Sequence, residues 1–244
     1  MTPAPIERPA FYAAGGGRLR ELTTLLHPPY TAWHLSYFAI GAAAASPFHA
    51  DRLWWGLAAF ALAVGIGAHS LDELNGRPLG THLSDGMLLG LGIAGTAGAL
   101  AIGVAGAIVV TPWLTPFVLA GALFVPAYNL ELLGGRLHTD TWFALGWGAF
   151  PALTGYFVEA ESLTLTGVLI AAGCAVASVA QRRLSSPARE LRRHTSAVTG
   201  TRIGSGGEVE ELTRAGLLAP LDGALLALSV AFALIASALV AARL

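Results

Sequence analysis

Apolar residues gather in long runs along this chain, and polar residues gather between the runs. Seven stretches are continuous enough to form helices that cross a bilayer: 30–46, 53–74, 86–110, 113–133, 141–158, 162–180 and 221–241. Each approaches the ~20 residues that the hydrocarbon layer requires. The third meets Thr111-Pro112, which suits a tight turn. The pattern predicts an all-α, polytopic transmembrane helix bundle of about seven spans. The chain divides into an N-terminal arm at 1–29, six spans within 30–180, a polar stretch at 181–220 and a final span at 221–244. The polar stretch reads as a basic half, a glycine/serine hinge at Gly204–Gly207 and an amphipathic helix from Glu208 to Leu218.

Composition supports the membrane reading. Hydrophobic residues make up 55% of the chain and charged residues only 12%, against about 25% charged in a typical soluble domain. The net charge of -1 says little, because charge is segregated by position. All 14 basic side chains are arginine. With the N-terminus inside, Arg8, Arg18, Arg20, Arg77, Arg136, Arg182, Arg183, Arg189, Arg192, Arg193, Arg202 and Arg214 fall on the cytoplasmic side, and only Arg52 and Arg243 on the other. That asymmetry predicts a multi-pass protein of the inner (plasma) membrane with a cytoplasmic N-terminus. The opening MTPAPIERPAFYAAGGGRLRELTTLL lacks the apolar core of a signal peptide and reads as a cytoplasmic arm, with Leu19 to Leu26 as an interfacial helix. Cys174 stands alone, so neither a disulfide framework nor a cysteine metal site forms within one chain. The expected partners are the bilayer and a lipid, not nucleic acid.

Candidate chemistry sits where apolar runs end on the arginine-rich side. The second run ends in AHSLDELNGRPLG, where His69, Asp72, Glu73 and Gly76 share one helix face. Charges at that depth are costly and mark sites. The alternative is a helix end at headgroup level, with Glu73 paired to Arg77. The fourth run ends in AYNLELLGGRLHTD, which brings Asn129, Glu131, His138 and Asp140 to the same depth. Asn129 and Glu131 point in nearly opposite directions on a regular helix. His138 and Asp140 are equally compatible with a solvated loop. In the first run Tyr30, His34 and Tyr37 share a face. Phe143, Trp147 and Phe150 form an aromatic stripe that suits core packing or a prenyl chain.

The expected metal ligands are His69, Asp72, Glu73, Glu131 and His138, with Asp72, Glu73 and Glu131 also carrying catalysis. Oxygen ligands favour Mg²⁺ beside a phosphate-bearing substrate, while histidine beside carboxylates admits Zn²⁺, Mn²⁺ or Fe. His34, Tyr37, Arg77, Asn129, Arg136 and Trp147 are the expected substrate contacts. Arg77 and Arg136 face an anionic headgroup, and the basic half of 181–220 either clamps a diphosphate or rests on anionic lipid. No GxxxxGK[ST] loop, HExxH helix or GxSxG elbow is present.

The layout resembles the UbiA superfamily of intramembrane prenyltransferases over about residues 20–160. LLHPPYTAWHLSYFAIGAAAA is similar to that family's opening helix, and the polar end of the second run with GRPLGTHLSDGMLLG to its first acidic motif and the segment after it. NLELLGGRLHTDTWFALGWGAFPALTGYF resembles a later family region. The resemblance implies a helical bundle with a cytoplasm-facing cavity, where a metal and acidic motifs bind a prenyl diphosphate and the chain is transferred or cyclised. Aligned on the family's NxxxDxxxD, His69 takes the asparagine position, Glu73 the first aspartate and Arg77 the second; Asp72 has no counterpart. The loop expected to carry the second acidic motif holds Glu190 alone, and the family has more spans than are read here. A divergent enzyme acting on an isoprenoid or lipid is therefore expected. The alternatives are a Zn- or Fe-dependent hydrolase or oxidase, or a transporter or binding protein that is not an enzyme.

Overall fold

The structure, a computed structural model, describes residues 9–13 and 17–244. Arg8 and part of the expected arm lie outside the described residues. A short helix, α1 (Arg18–Leu25), precedes α2 (Pro28–Ala44), whose start is set by two prolines at its first positions. Helix α3 (Ala50–Leu74) turns π-helical over Ala61–Ala68. Helix α4 (Asp85–Val109) is capped by the Ser84 hydroxyl, which accepts from Met87 N. A 3₁₀ turn at Pro112–Leu114 leads into α5 (Thr115–Asn129). Helix α6 covers 140–160 and is π-helical over Ala144–Ala149. Then come α7 (Leu165–Arg193) and α8 (Arg214–Ala241).

The helical rods from α2 to α8 run alternately up and down, so the chain is mostly helical as expected. Four of them, α3, α4, α7 and α8, are long and apolar enough to cross a membrane. The expected seven spans are not met on that measure. Helices α2 and α5 have 17 and 15 residues, because polar turns close them early. Helix α6 interleaves glycine, threonine and tryptophan among its aliphatic residues.

The polar stretch also differs from expectation. Helix α7 does not stop at 180 but continues to Arg193, and α8 begins at Arg214. Between them, β1 (Thr201–Ile203) and β2 (Val209–Glu211) pair antiparallel, with Arg202 opposite Glu210. The supposed hinge is the hairpin's turn, with Gly207 at φ +88°. The supposed amphipathic helix from Glu208 begins instead as a strand, since β-branched residues and a glycine-rich turn favour a hairpin there.

Helix α2 lies at the centre. A Cβ on Gly41 would strike the Ala152 carbonyl oxygen, and one on Gly155 the Phe38 carbonyl oxygen, so α2 and α6 touch backbone to backbone. Trp33, Tyr37 and Ala152 form a buried cluster with Cys174 and Leu225 from α7 and α8. The outside is apolar too. Only 17% of the most apolar window of α4 is buried, and Ile93, Val104 and Ile108 point outward. A helix apolar all round yet so little covered faces lipid. This is a membrane-associated helical protein.

The two ends of the bundle differ. At one end, called here the far end, Arg52 donates to Val158 O (3.0 Å) and Glu161 (2.9 Å), and Arg243 donates to Ala45 O (2.6 Å). At the other, arginine-rich end, Arg182 holds Asp140 (2.8 Å) and Arg192 pairs with Asp222, tying α7 to α6 and α8.

Candidate functional site

The arginine-rich end encloses a cavity of about 130 Å³. Its walls come from residues 9–12, the start of α2, the end of α3, the end of α5, the start of α6 and the polar extension of α7. Pro28-Pro29 keeps the residue before it out of the right-handed helical region. His27 leaves that region on the left-handed side, at φ 45°, and its ring stacks on His69, centroids 4.1 Å apart and planes 15° apart. The Tyr12 hydroxyl lies 2.7 Å from His27 Nδ1. Burial, then the neighbouring His69 and the arginines 193 and 189, hold the His27 imidazole well below the usual histidine range, so it is neutral. Burial also pushes the Tyr12 hydroxyl up, with Tyr30 adding to it, so it stays protonated.

Two more imidazoles have defined tautomers. A carbonyl oxygen only accepts, so His34 Nδ1 donates to Trp147 O (2.8 Å) and His138 Nδ1 donates to Tyr128 O (3.1 Å). In their neutral forms, the Nε2 atom of each is left as an acceptor. His138 stacks on Tyr128, with centroids 4.5 Å apart. Asp72 is the one carboxylate on the wall of this cavity among the described residues. Arg77, Arg182 and Arg192 are paired to Asp85, Asp140 and Asp222. Arg189 and Arg193 also line the cavity, and neither holds a carboxylate among the described residues.

Both π-helical segments face this region. The first ends immediately before His69, and the second contains Trp147. Each lies where glycine admits a neighbouring helix: a Cβ on Gly95 would come within 2.6 Å of Gly67 N, and one on Gly148 within 2.7 Å of Cys174 O. A π-helical turn shifts the register of the side chains after it, and such turns concentrate at functional sites.

A second cavity, of about 400 Å³, lies deeper, between α3, α4, α5 and α6. Its lining is almost wholly apolar, with Phe60, Leu100, Phe117 and Phe150 prominent, and it reaches Asp51 and Arg52 at the far end. Val64 and Trp147 line both cavities and form the partition between them.

The expected site is thus assembled in part. His69, Asp72, His138, His34, Asn129 and Trp147 line the arginine-end cavity. Glu73 does not. It is fully buried and accepts from Leu79 N (2.8 Å), Thr81 N (2.8 Å) and the Thr81 hydroxyl (2.9 Å), so it folds the 75–83 loop back on its own helix. Arg77 closes the same loop from outside, donating to Leu83 O (2.5 Å) and pairing with Asp85 rather than Glu73. Glu131 lies beyond the end of α5 at φ 50°, exposed, 3.9 Å from His138. Arg136 is exposed in the next loop, outside the cavity lining. Tyr37 is core: it accepts from Trp33 Nε1 (2.5 Å) and lies 3.5 Å from the Ser178 hydroxyl. The five expected metal ligands therefore do not converge, and among the described residues no three histidine, cysteine or acidic side chains are placed to hold a metal ion.

Sequence reasoning missed Tyr12, His27, Tyr128 and Gln181, and took Arg189 and Arg193 only as part of a basic loop. A signal existed. Residues 182, 189 and 193 recur at helical spacing along one face of α7, and His27 stands directly before a double proline. Comparisons with protein-family models, curated proteins and solved structures give no match.

Proposed function

We propose that this protein is an integral membrane enzyme that acts on an amphiphilic lipid or isoprenoid. The arginine-rich end faces the cytoplasm, in line with the positive-inside asymmetry. Exposed Trp54, Trp55 and Trp113 at the far end and Trp142 at the near end stand where interfacial aromatic belts form. With α2, α5 and α6 carried among the four longer helices, the bundle makes seven passes, the short ones matched by local thinning of the bilayer.

The observation that carries the reading is the placement of the two cavities. A polar pocket holding Asp72, four histidines and two arginines without carboxylate partners among the described residues meets an apolar chamber across Val64 and Trp147. The substrate's polar end enters the pocket, and its chain passes the partition into the chamber. Along α3 the chamber runs from Asp51 to Val64, about 20 Å by helical rise, which is long enough for an extended hydrocarbon chain. Asp72 and His69, a turn apart on α3, are the proton-transfer groups, and His34 and His138 offer acceptor nitrogens beside them. Aromatic walls at Phe143 and Trp147 suit a cationic intermediate. Prenyl transfer or cyclisation, the reaction implied by the UbiA resemblance, uses such a set: a leaving group stays with the arginines and a proton passes to Asp72 or a histidine.

Native mass spectrometry of lipid retained by the purified protein tests this. The wild type and Asp72→Asn are expected to hold chemically different amphiphiles, substrate accumulating in the variant. Identical species in both would remove Asp72 from catalysis. The chamber's reach to Arg52 at the far end favours a second reading, passage of a lipid between leaflets. Flux in proteoliposomes without chemical change to the lipid would select it.

A further inference from the structure

Among the described residues, five buried polar atoms on residues lining the arginine-end pocket have no hydrogen-bond partner: His27 Nε2, His69 Nδ1, Tyr128 Oη, Gln181 Oε1 and Arg193 Nε. Only three such atoms occur elsewhere among the described residues, on Ser70, Glu159 and Asp222. Buried polar groups are ordinarily paired, and leaving them unpaired is costly. Their concentration around one cavity points to an occupant that pairs them.

Their chemistry limits what that occupant is. The Arg193 guanidinium and the Tyr128 hydroxyl donate, and a neutral imidazole donates through one nitrogen. The unpaired atom of Gln181 is an acceptor oxygen, which takes a single proton from the occupant. Arg189 contributes a second cation, while Asp72 is the one carboxylate facing them among the described residues. The occupant is therefore rich in acceptor oxygens and negatively charged. The donors stand on three different elements: the turn before α2, α5 and α7. Donors arriving from several sides match a tetrahedral oxyanion better than a flat carboxylate, and arginine is the residue suited to phosphate.

We propose that the pocket holds a phosphate-ester head directly on His27, Tyr128, Arg189 and Arg193, with no bridging divalent ion. This rests on the reading that the pocket receives the polar end of an amphiphile, and it names that end. Arginine supplies the positive charge that a metal would otherwise bring. The protons on Tyr128 and on His27 Nε2, whose Nδ1 accepts from the Tyr12 hydroxyl, complete the donor set.

The test is calorimetric titration of the purified full chain in detergent with farnesyl diphosphate and with inorganic diphosphate, each in EDTA and again with Mg²⁺. Binding is expected in EDTA, unchanged by Mg²⁺. Much tighter binding of farnesyl diphosphate marks a lipid-linked head, and equal binding marks a free phosphate compound; either supports the proposal. Arg193→Gln and Tyr128→Phe should each weaken binding about tenfold or more, and Arg183→Gln, exposed and outside the pocket, should not. Tyr128→Phe keeps the ring that stacks on His138, so it decides the matter if Arg193→Gln does not fold. No binding of either probe, binding that requires Mg²⁺, or unchanged affinity in folded variants overturns the proposal. Failure here with a neutral amphiphile still altered through Asp72 leaves the enzymatic reading standing and removes only the phosphate.

Discussion

The two ends of the bundle bury charge in opposite ways. At the far end Glu159 is fully buried, and one of its oxygens accepts from His49 N (2.7 Å) and lies 3.3 Å from the His49 ring. Arg52 covers it, spending its donors on Val158 O and Glu161. There the protein's own groups answer one oxygen of the buried carboxylate and lock helix ends together, while Glu159 Oε1 has no partner among the described residues. At the arginine-rich end Asp72, Arg189 and Arg193 face a cavity, and imidazole and hydroxyl atoms are left unpaired around it. The same residue types act as clasps at one end and line an open cavity at the other. Burial of charge alone does not identify a site. What distinguishes a site is how many buried groups without partners gather around one cavity.

The sharpest form of this comparison lies within one dipeptide. Asp72 and Glu73 are neighbours, yet one opens on the pocket and the other is saturated by its own loop. Four perturbations test the division between clasp and receptor. The largest effect is expected from Gly155→Val, which drives a side chain into the Phe38 carbonyl where α2 meets α6. The cost should reach at least the ~3 kcal/mol upper range of ordinary overpacking, seen as loss of monodisperse protein on size exclusion. Next, Glu73→Ala strips two backbone N–H groups and a hydroxyl of their acceptor. A loss of roughly 3 kcal/mol is expected, read as lower thermal stability in detergent, while Asp72→Asn beside it should stay within about 1 kcal/mol of wild type. Equal destabilisation by the two would erase the distinction. Third, Glu159→Ala should cost about 1–2 kcal/mol and leave ligand binding at the opposite end unchanged.

The smallest effect concerns α1. The His82 side chain hydrogen-bonds Glu21 (2.7 Å) and holds its carboxyl below the usual glutamate range. A carboxyl lowered on folding contributes stability above its unfolded pKa, and that contribution is lost as pH falls through the folded value. The wild type should therefore lose slightly more stability than His82→Ala on acidification below the normal glutamate range, a small difference because the pair is at the surface. Parallel acid titrations of the two would show the pair to be idle.

The helices were legible because lipid and core both demand long apolar runs, and each expected run is a helix in the structure. Their ends were less legible. Hydropathy marks where a helix would leave lipid, not where its hydrogen bonds stop, so α7 outruns its apolar stretch by a dozen or so residues and carries its arginines into the pocket wall. The His69-Asp72 face was readable from spacing. The fate of Glu73 was not, because its partners are backbone N–H groups in a loop whose closure depends on Gly76 at φ +93° and Arg77 at φ 54°. The π-helical segments left no periodic signature, yet they set the orientation of His69 and Trp147. His27 lies fifteen positions from Tyr12 and farther still from His69, and only the fold brings these three together.

A density map of the protein purified in native lipid and held in a nanodisc measures the central claim most directly. The account predicts one elongated occupant, its head against His27, Tyr128 and Arg193 and its chain passing Trp147 into the apolar chamber. A pocket filled only with water, or an occupant confined to the chamber with nothing beside Asp72, would contradict it.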